Sequence, residues 1–160
     1  DWCLKKAEKE LTEWSTHRGL IIKKPDIEKA KDYIKKAEHF LLATDYLKKG
    51  NFSDISASTV FYAMYHCLLA IAIKYGYESG NQEFTFALIS NLIEENKIDF
   101  KMELLDKIYS LNIEDKGRTA LGIREQYQYG TNITLKENIY KELFDLATQV
   151  ISKTRQIIET

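Results

Sequence analysis

Ser53-Asp54-Ile55-Ser56-Ala57-Ser58-Thr59-Val60-Phe61-Tyr62-Ala63-Met64-Tyr65-His66-Cys67-Leu68-Leu69-Ala70-Ile71-Ala72-Ile73-Lys74-Tyr75 is the stretch on which the fold turns. It reads as a helix, with Ser53 or Asp54 as its N-cap and Gly76 as its stop. Between Ile55 and Tyr75 only Lys74 carries a formal charge, so the helix is apolar on nearly every face and must be surrounded by other helices. A membrane span is the alternative reading, but the uninterrupted apolar run falls short of the roughly 20 residues a bilayer needs. His66 also sits in its middle, where lipid would penalise an imidazole.

Working outward, the preceding segment repeats Ile27, Ala30, Ile34, Ala37 and Leu41 at three-four spacing after Pro25, and Gly50 ends it. Lys35, Lys36 and Lys48 lie off that apolar face, as expected of an amphipathic bundle helix. Further upstream, Leu4, Ala7, Leu11 and Trp14 predict a helical arm over Trp2–Trp14, with Gly19 past its end. Leu20, Ile21 and Ile22 then predict a short extended linker closed by Pro25. Downstream, Phe84, Leu88, Leu92 and Ile93 mark a short helix ending near Asn96, and Leu104, Leu105, Ile108 and Leu111 mark another. Gly117 and Gly122 predict a broken or kinked helix over Ile113–Tyr129. After a turn at Gly130-Thr131-Asn132, Thr134 and Glu137 have the spacing of a capping box for a long last helix. Ile139, Leu143, Leu146, Val150 and Ile157 give that helix one apolar stripe, with Lys136, Lys141 and Lys153 away from it.

The predicted fold class is therefore all-α: an antiparallel up-and-down bundle of about four to five core helices. Residues 1–24 form the N-terminal helical arm and linker, and residues 25–160 the bundle. At 160 residues and 44% apolar composition the chain is large enough to bury a core without disulfides or metal. Lys plus Arg (23) balances Asp plus Glu (24), so no global positive field draws nucleic acid, and any such contact must be local. Cys3 and Cys67 are far apart and in no ligand-spaced pattern, which predicts free thiols in a reducing compartment. The charged start, Asp1 to Glu13, has no apolar stretch of a secretory signal, so a cytoplasmic location is expected. Because Asp1 rather than Met comes first, a few leading residues are expected to precede it.

Phosphate-loop, dinucleotide, HExxH zinc and GxSxG hydrolase signatures do not occur, and no metal or cofactor is predicted. His17 and His39 fall on charged, solvent-leaning segments. His66 differs, because an imidazole inside an apolar helix must either find a hydrogen-bond partner or stand at an opening. Tyr62 lies one turn before it and Ser58 and Thr59 two turns before, giving a polar stripe along an apolar helix. Two readings stay open: a core histidine bonded to a tyrosine, or a seam facing a cleft or second subunit.

The run Ser56 to Leu69, with its Tyr62-Ala63-Met64-Tyr65-His66 string, resembles the central helix of HEPN domains (higher eukaryotes and prokaryotes nucleotide-binding). Lys29 to Glu38 is similar to that family's lysine- and alanine-rich first helix, and Arg124 followed by Tyr127 resembles a downstream Arg/Tyr element. With the closing helix, the resemblance spans about residues 25–158. It implies a helical bundle that forms homodimers, and a ligand-binding set of Tyr62, Thr59, Ser58, Arg124 and Tyr127 around His66 as the catalytic candidate. Ribonuclease members carry an arginine a turn or two ahead of the histidine. Here Thr59 stands at that position, and no Arg or Lys occurs from Gly50 to Ile73.

RNA cleavage through the 2′-hydroxyl needs a base and a fixed positive charge on the phosphorane, and His66 supplies only the first. Three functions follow from the resemblance. The leading one is a dimeric nucleotide- or RNA-binding module, or partner of a minimal nucleotidyltransferase or antitoxin, that is not an efficient nuclease. The second is a metal-independent endoribonuclease toxin in which Arg118 or Arg124 folds back to replace the missing arginine. The third is a structural adaptor bundle with no small ligand.

Overall fold

A computed structural model describes Lys5, residues 20–110 and residues 112–160. Apart from Lys5, the arm expected over Trp2–Trp14, together with His17 and Gly19, lies outside the described residues, as does Leu111. The elements are β1 (Leu20–Ile22), α1 (Ile27–Lys49), α2 (Ser53–Lys74), β2 (Tyr77–Ser79), α3 (Gln82–Glu94), α4 (Met102–Ile108), α5 (Ile113–Lys116), α6 (Ala120–Tyr129) and α7 (Glu137–Glu159).

α2 is the axis of the bundle, packed by α1, α3, α6 and α7. Phe61, Met64, Leu68 and Ile71 are fully buried along it. Each such side chain contributes roughly 1.5–3 kcal/mol by leaving water. By length and composition alone α2 would cross a bilayer, but 72% of its most apolar window lies inside the bundle, which accounts for its hydropathy without lipid.

Small residues set the spacing of α1 on α2. Ala30 and Ala37 have no exposed surface, and Ile34 packs with Ala70, Ile73 and Ile158 in a satellite of the core. Asp26, in extended geometry, caps α1 by accepting from the Lys29 N–H at 2.9 Å. At the ends of α7, Glu38 of α1 pairs with Arg155, and Lys48 pairs with Glu137 at 2.7 Å. α1 thus runs antiparallel to α7 and, through the short Gly50 turn, to α2. α2 and α7 themselves run the same way. The Leu135 N–H, just ahead of α7, donates to Ser53 Oγ at the start of α2, and Lys74 Nζ at the end of α2 donates to the Ile157 carbonyl. The short helices between them carry the chain back to its starting end.

Two expected caps are replaced by longer-range contacts. Ser53 does not cap α2; Phe52 occupies the N-cap position, and the Ser53 hydroxyl serves Leu135 instead. Thr134 and Glu137 do not form a capping box, because α7 begins at Glu137 itself with Lys136 as N-cap. Leu135 is 2% exposed, and its anchoring keeps the chain extended past Thr134, while the Glu137 carboxylate is taken by Lys48.

The expected linker at Leu20–Ile22 is extended and also paired, antiparallel, with β2 in the register Leu20↔Ser79 and Ile22↔Tyr77. Gly76 makes this junction. Its φ is +86°, and a Cβ there would sit 2.8 Å from the Lys23 carbonyl oxygen. The kink expected between Ile113 and Tyr129 is a full break separating α5 from α6. Gly122 is required at it, since a Cβ would lie 2.0 Å from the Lys116 carbonyl oxygen.

Candidate functional site

The interior of α2 is closed, but Ile55, Ser58, Thr59, Tyr62, His66 and Leu69 retain exposure and follow one another at helical spacing. They form an open stripe with α1 on one side and α6 contributing Arg124.

His66 Nδ1 lies 2.7 Å from the Tyr62 carbonyl oxygen one turn back. A carbonyl only accepts, so Nδ1 carries the proton and the neutral ring presents the Nε2 lone pair. Burial lowers the imidazole pKa below its usual 6.5, the carbonyl hydrogen bond opposes that shift, and the Lys36 charge adds to the lowering. His66 is therefore neutral at pH 7 and ready to accept a hydrogen bond or a proton. Phe40 stacks on it at 5.0 Å between centroids and 25° between planes. His66 is bonded within the fold, through the tyrosine backbone rather than the phenol, and it stands on a half-open face.

Arg124 enters from α6. The Thr119 hydroxyl accepts from the Gly122 N–H at 3.0 Å and starts that helix close against α2. The Arg124 guanidinium then donates through Nη1 to the Tyr62 hydroxyl at 3.0 Å. It lies over the Phe61 ring at 5.1 Å and the Tyr62 ring at 5.6 Å. Arg124 is only 9% exposed, and its Nε is buried without a hydrogen-bond partner. None of the ion pairs among the described residues involves it. A guanidinium cannot shed its proton, so this is a permanent, largely desolvated cation balanced only by aromatic faces and one phenol. The Tyr62 hydroxyl, accepting from Arg124, keeps its own proton to donate outward.

The other predicted residues are distributed around this trio. Thr59 is engaged with α1, its hydroxyl 2.7 Å from that of the buried Thr44. Ser58 is half-buried on the stripe, and Tyr127 is half-buried against the main core. Arg118 is exposed and lies by Glu142 and Leu146, away from the stripe, whereas Arg124 reaches it. His39 is exposed. Cys67 is a free, fully enclosed thiol pushed up to about 12 by burial, which a hydrogen bond with Thr154 only partly offsets. It is chemically inert in the fold. A groove of about 610 Å³ lies elsewhere, between α4 and α7, where Lys101, Lys107 and Lys153 alternate with Glu103 and Asp145.

Sequence reasoning missed the contribution of α1, namely Tyr33, Lys36 and Phe40. Their three-four spacing is visible in the sequence, but which flank of α1 lies over His66 depends on how α1 and α2 pack.

A helical bundle whose buried central helix opens one histidine-bearing stripe, closed by an arginine from a later helix, defines the class. The sequence model of the HEPN domain matches residues 30–157, well over half of the chain, and the chain belongs to the HEPN domain family. Among curated proteins, none matches the chain.

Proposed function

We propose that the protein is a dimeric HEPN module that binds the phosphate of a nucleotide or RNA chain on the open stripe of α2, and that it is not an efficient nuclease. The observation that carries this reading is Arg124: a desolvated cation with an orphan Nε donor and no carboxylate partner among the described residues. A protein tolerates such a group at a cost of several kcal/mol unless an anion completes it. Tyr62 and His66 beside it add one donor and one acceptor suited to sugar and base edges. The exposed Tyr46, Phe52 and Ile55 at the α1–α2 turn extend the stripe as an apolar surface fit for a second copy. A neutral His66 with no Arg or Lys ahead of it on its own helix supports weak cleavage at most.

The displaced-arginine ribonuclease is the second reading, favoured by the hydrogen bond from Arg124 to Tyr62, the residue one turn before His66 on α2. Against it stands the engagement of the guanidinium with Tyr62, Phe61 and the interior. A cytoplasmic protein partner, such as a minimal nucleotidyltransferase or an antitoxin, is the outcome to consider if no nucleotide binds.

Fluorescence anisotropy with a labelled single-stranded RNA and with labelled ATP tests the proposal, alongside light scattering for the dimer. Wild type should bind, and Arg124→Gln should lose about 1.5–3 kcal/mol of binding energy, the value of a charge-assisted hydrogen bond. RNA incubated with chelator should stay largely intact. Absence of binding to both probes contradicts the proposal, and robust cleavage lost in His66→Ala selects the ribonuclease instead.

A further inference from the structure

α1 carries Tyr33, Lys36 and Phe40 at three-four spacing, so the three side chains leave one flank of the helix, one above another. Tyr33 and Phe40 both reach His66, with centroids 6.1 Å and 5.0 Å from the imidazole. His66 is therefore bracketed between them, level with the intervening turn, which is the turn of Lys36. Lys36 Nζ lies 5.5 Å from the Phe40 centroid, and Phe40 is the ring stacked on the imidazole. Lys36 is exposed, and no carboxylate among the described residues pairs with it, although Lys31 on the same helix is tied to Glu28. Its charge is felt by His66, where it disfavours the imidazolium.

We propose that Lys36 is a phosphate-binding residue of the stripe, supplying from α1 the positive charge that α2 lacks around His66 and holding a nucleotide or RNA phosphate over the Phe40–His66 stack. The proposal rests on the reading of the stripe as a phosphate site and adds a residue to it. The division of labour follows from chemistry. A flexible, hydrated ammonium captures an incoming phosphate without prior alignment, whereas the fixed Arg124 receives it only along the stripe. His66 Nε2, kept unprotonated partly by Lys36, is left to accept from a ribose hydroxyl or a base amine.

The test compares the full chain with Lys36→Met, which keeps the apolar stem, and with Lys35→Met, an exposed control on the same helix. Binding of a fluorescein-labelled single-stranded RNA and of labelled ATP is read by anisotropy across a salt series. Lys36→Met should weaken RNA binding by about tenfold and flatten the salt dependence by about 0.7 in logarithmic slope, the loss of one phosphate contact on a single strand. Lys35→Met should do neither. The ATP arm tells whether a free nucleotide suffices or a strand is needed. Independently of ligand, the His66 ring titration followed by NMR should move to higher pH in Lys36→Met, because a neighbouring positive charge is gone. If Lys36→Met binds like Lys35→Met while Arg124→Gln and His66→Ala still weaken binding, the role of Lys36 is refuted and the stripe survives. If wild type binds neither probe, both fall together. An unmoved His66 titration refutes the geometry by itself.

Discussion

The two faces of α2 are built from similarly apolar sequence and do opposite work. Phe61, Met64, Leu68 and Ile71 are sealed by neighbouring helices. Tyr62 and His66 stand among them in the chain yet lie at a half-open face, the His66 ring donating to the Tyr62 backbone carbonyl and the Tyr62 hydroxyl accepting from Arg124. Burial alone stabilises the first face. The second holds a desolvated cation and a neutral imidazole, polar groups whose cost the proposed ligand would offset.

The largest expected effect is on the sealed face. Phe61→Ala should lower stability by about 3–5 kcal/mol in urea unfolding, since it opens a cavity and removes a ring under Arg124. A loss below about 1 kcal/mol would mean that the two faces do not differ as described. Next comes Gly122→Ala, whose added methyl meets the Lys116 carbonyl and forces α5 and α6 apart. It should cost about 1–3 kcal/mol, and RNA affinity should fall with it as Arg124 is displaced. Retained affinity in a destabilised Gly122→Ala protein would detach Arg124 from the site. On the open face, Tyr62→Phe removes the acceptor of Arg124 and leaves another orphan donor, which costs about 1–3 kcal/mol.

The smallest effect is on pH dependence. His66 has a folded pKa below its unfolded value of 6.5, so the unfolded chain takes up the proton first. Its contribution to stability is complete above about 6.5 and is lost as pH falls through the lowered folded value. The stability difference between wild type and His66→Gln should therefore shift against wild type between pH 7.5 and pH 5. A difference that stays constant over that range would place His66 in free solvent.

The architecture was legible because its signals are local. Charge vanishes from the interior of α2, three-four spacing runs through α1 and α7, and Gly50, Gly76 and Gly117 mark the breaks. The caps of α2 and α7 were misread because Ser53 bonds Leu135 across 82 positions of chain, and no local pattern announces such a bond. The parallel course of α2 and α7 was hidden for the same reason. At the site, His66 and Tyr62 were readable as a polar interruption of an apolar helix, and Arg124 as a family-like element further on. Thr59, expected from the resemblance to stand at the arginine position of the nuclease pattern, has its hydroxyl bonded to Thr44 of α1. An arginine there would have to displace that contact, so Thr59→Arg should cost stability as well as add a charge. Lys36 and Phe40 were not readable, since helix periodicity tells which residues share a flank and not what that flank meets.

The central claim is that the open stripe of α2 receives the ligand, and NMR mapping of a nucleotide or RNA titration tests it most directly. The account predicts that the His66 and Tyr62 ring signals and the Arg124 Nε–H move first and together, with those of Phe40 following. Perturbation centred on the groove of Lys101, Lys107 and Lys153, with the stripe unmoved, would contradict it.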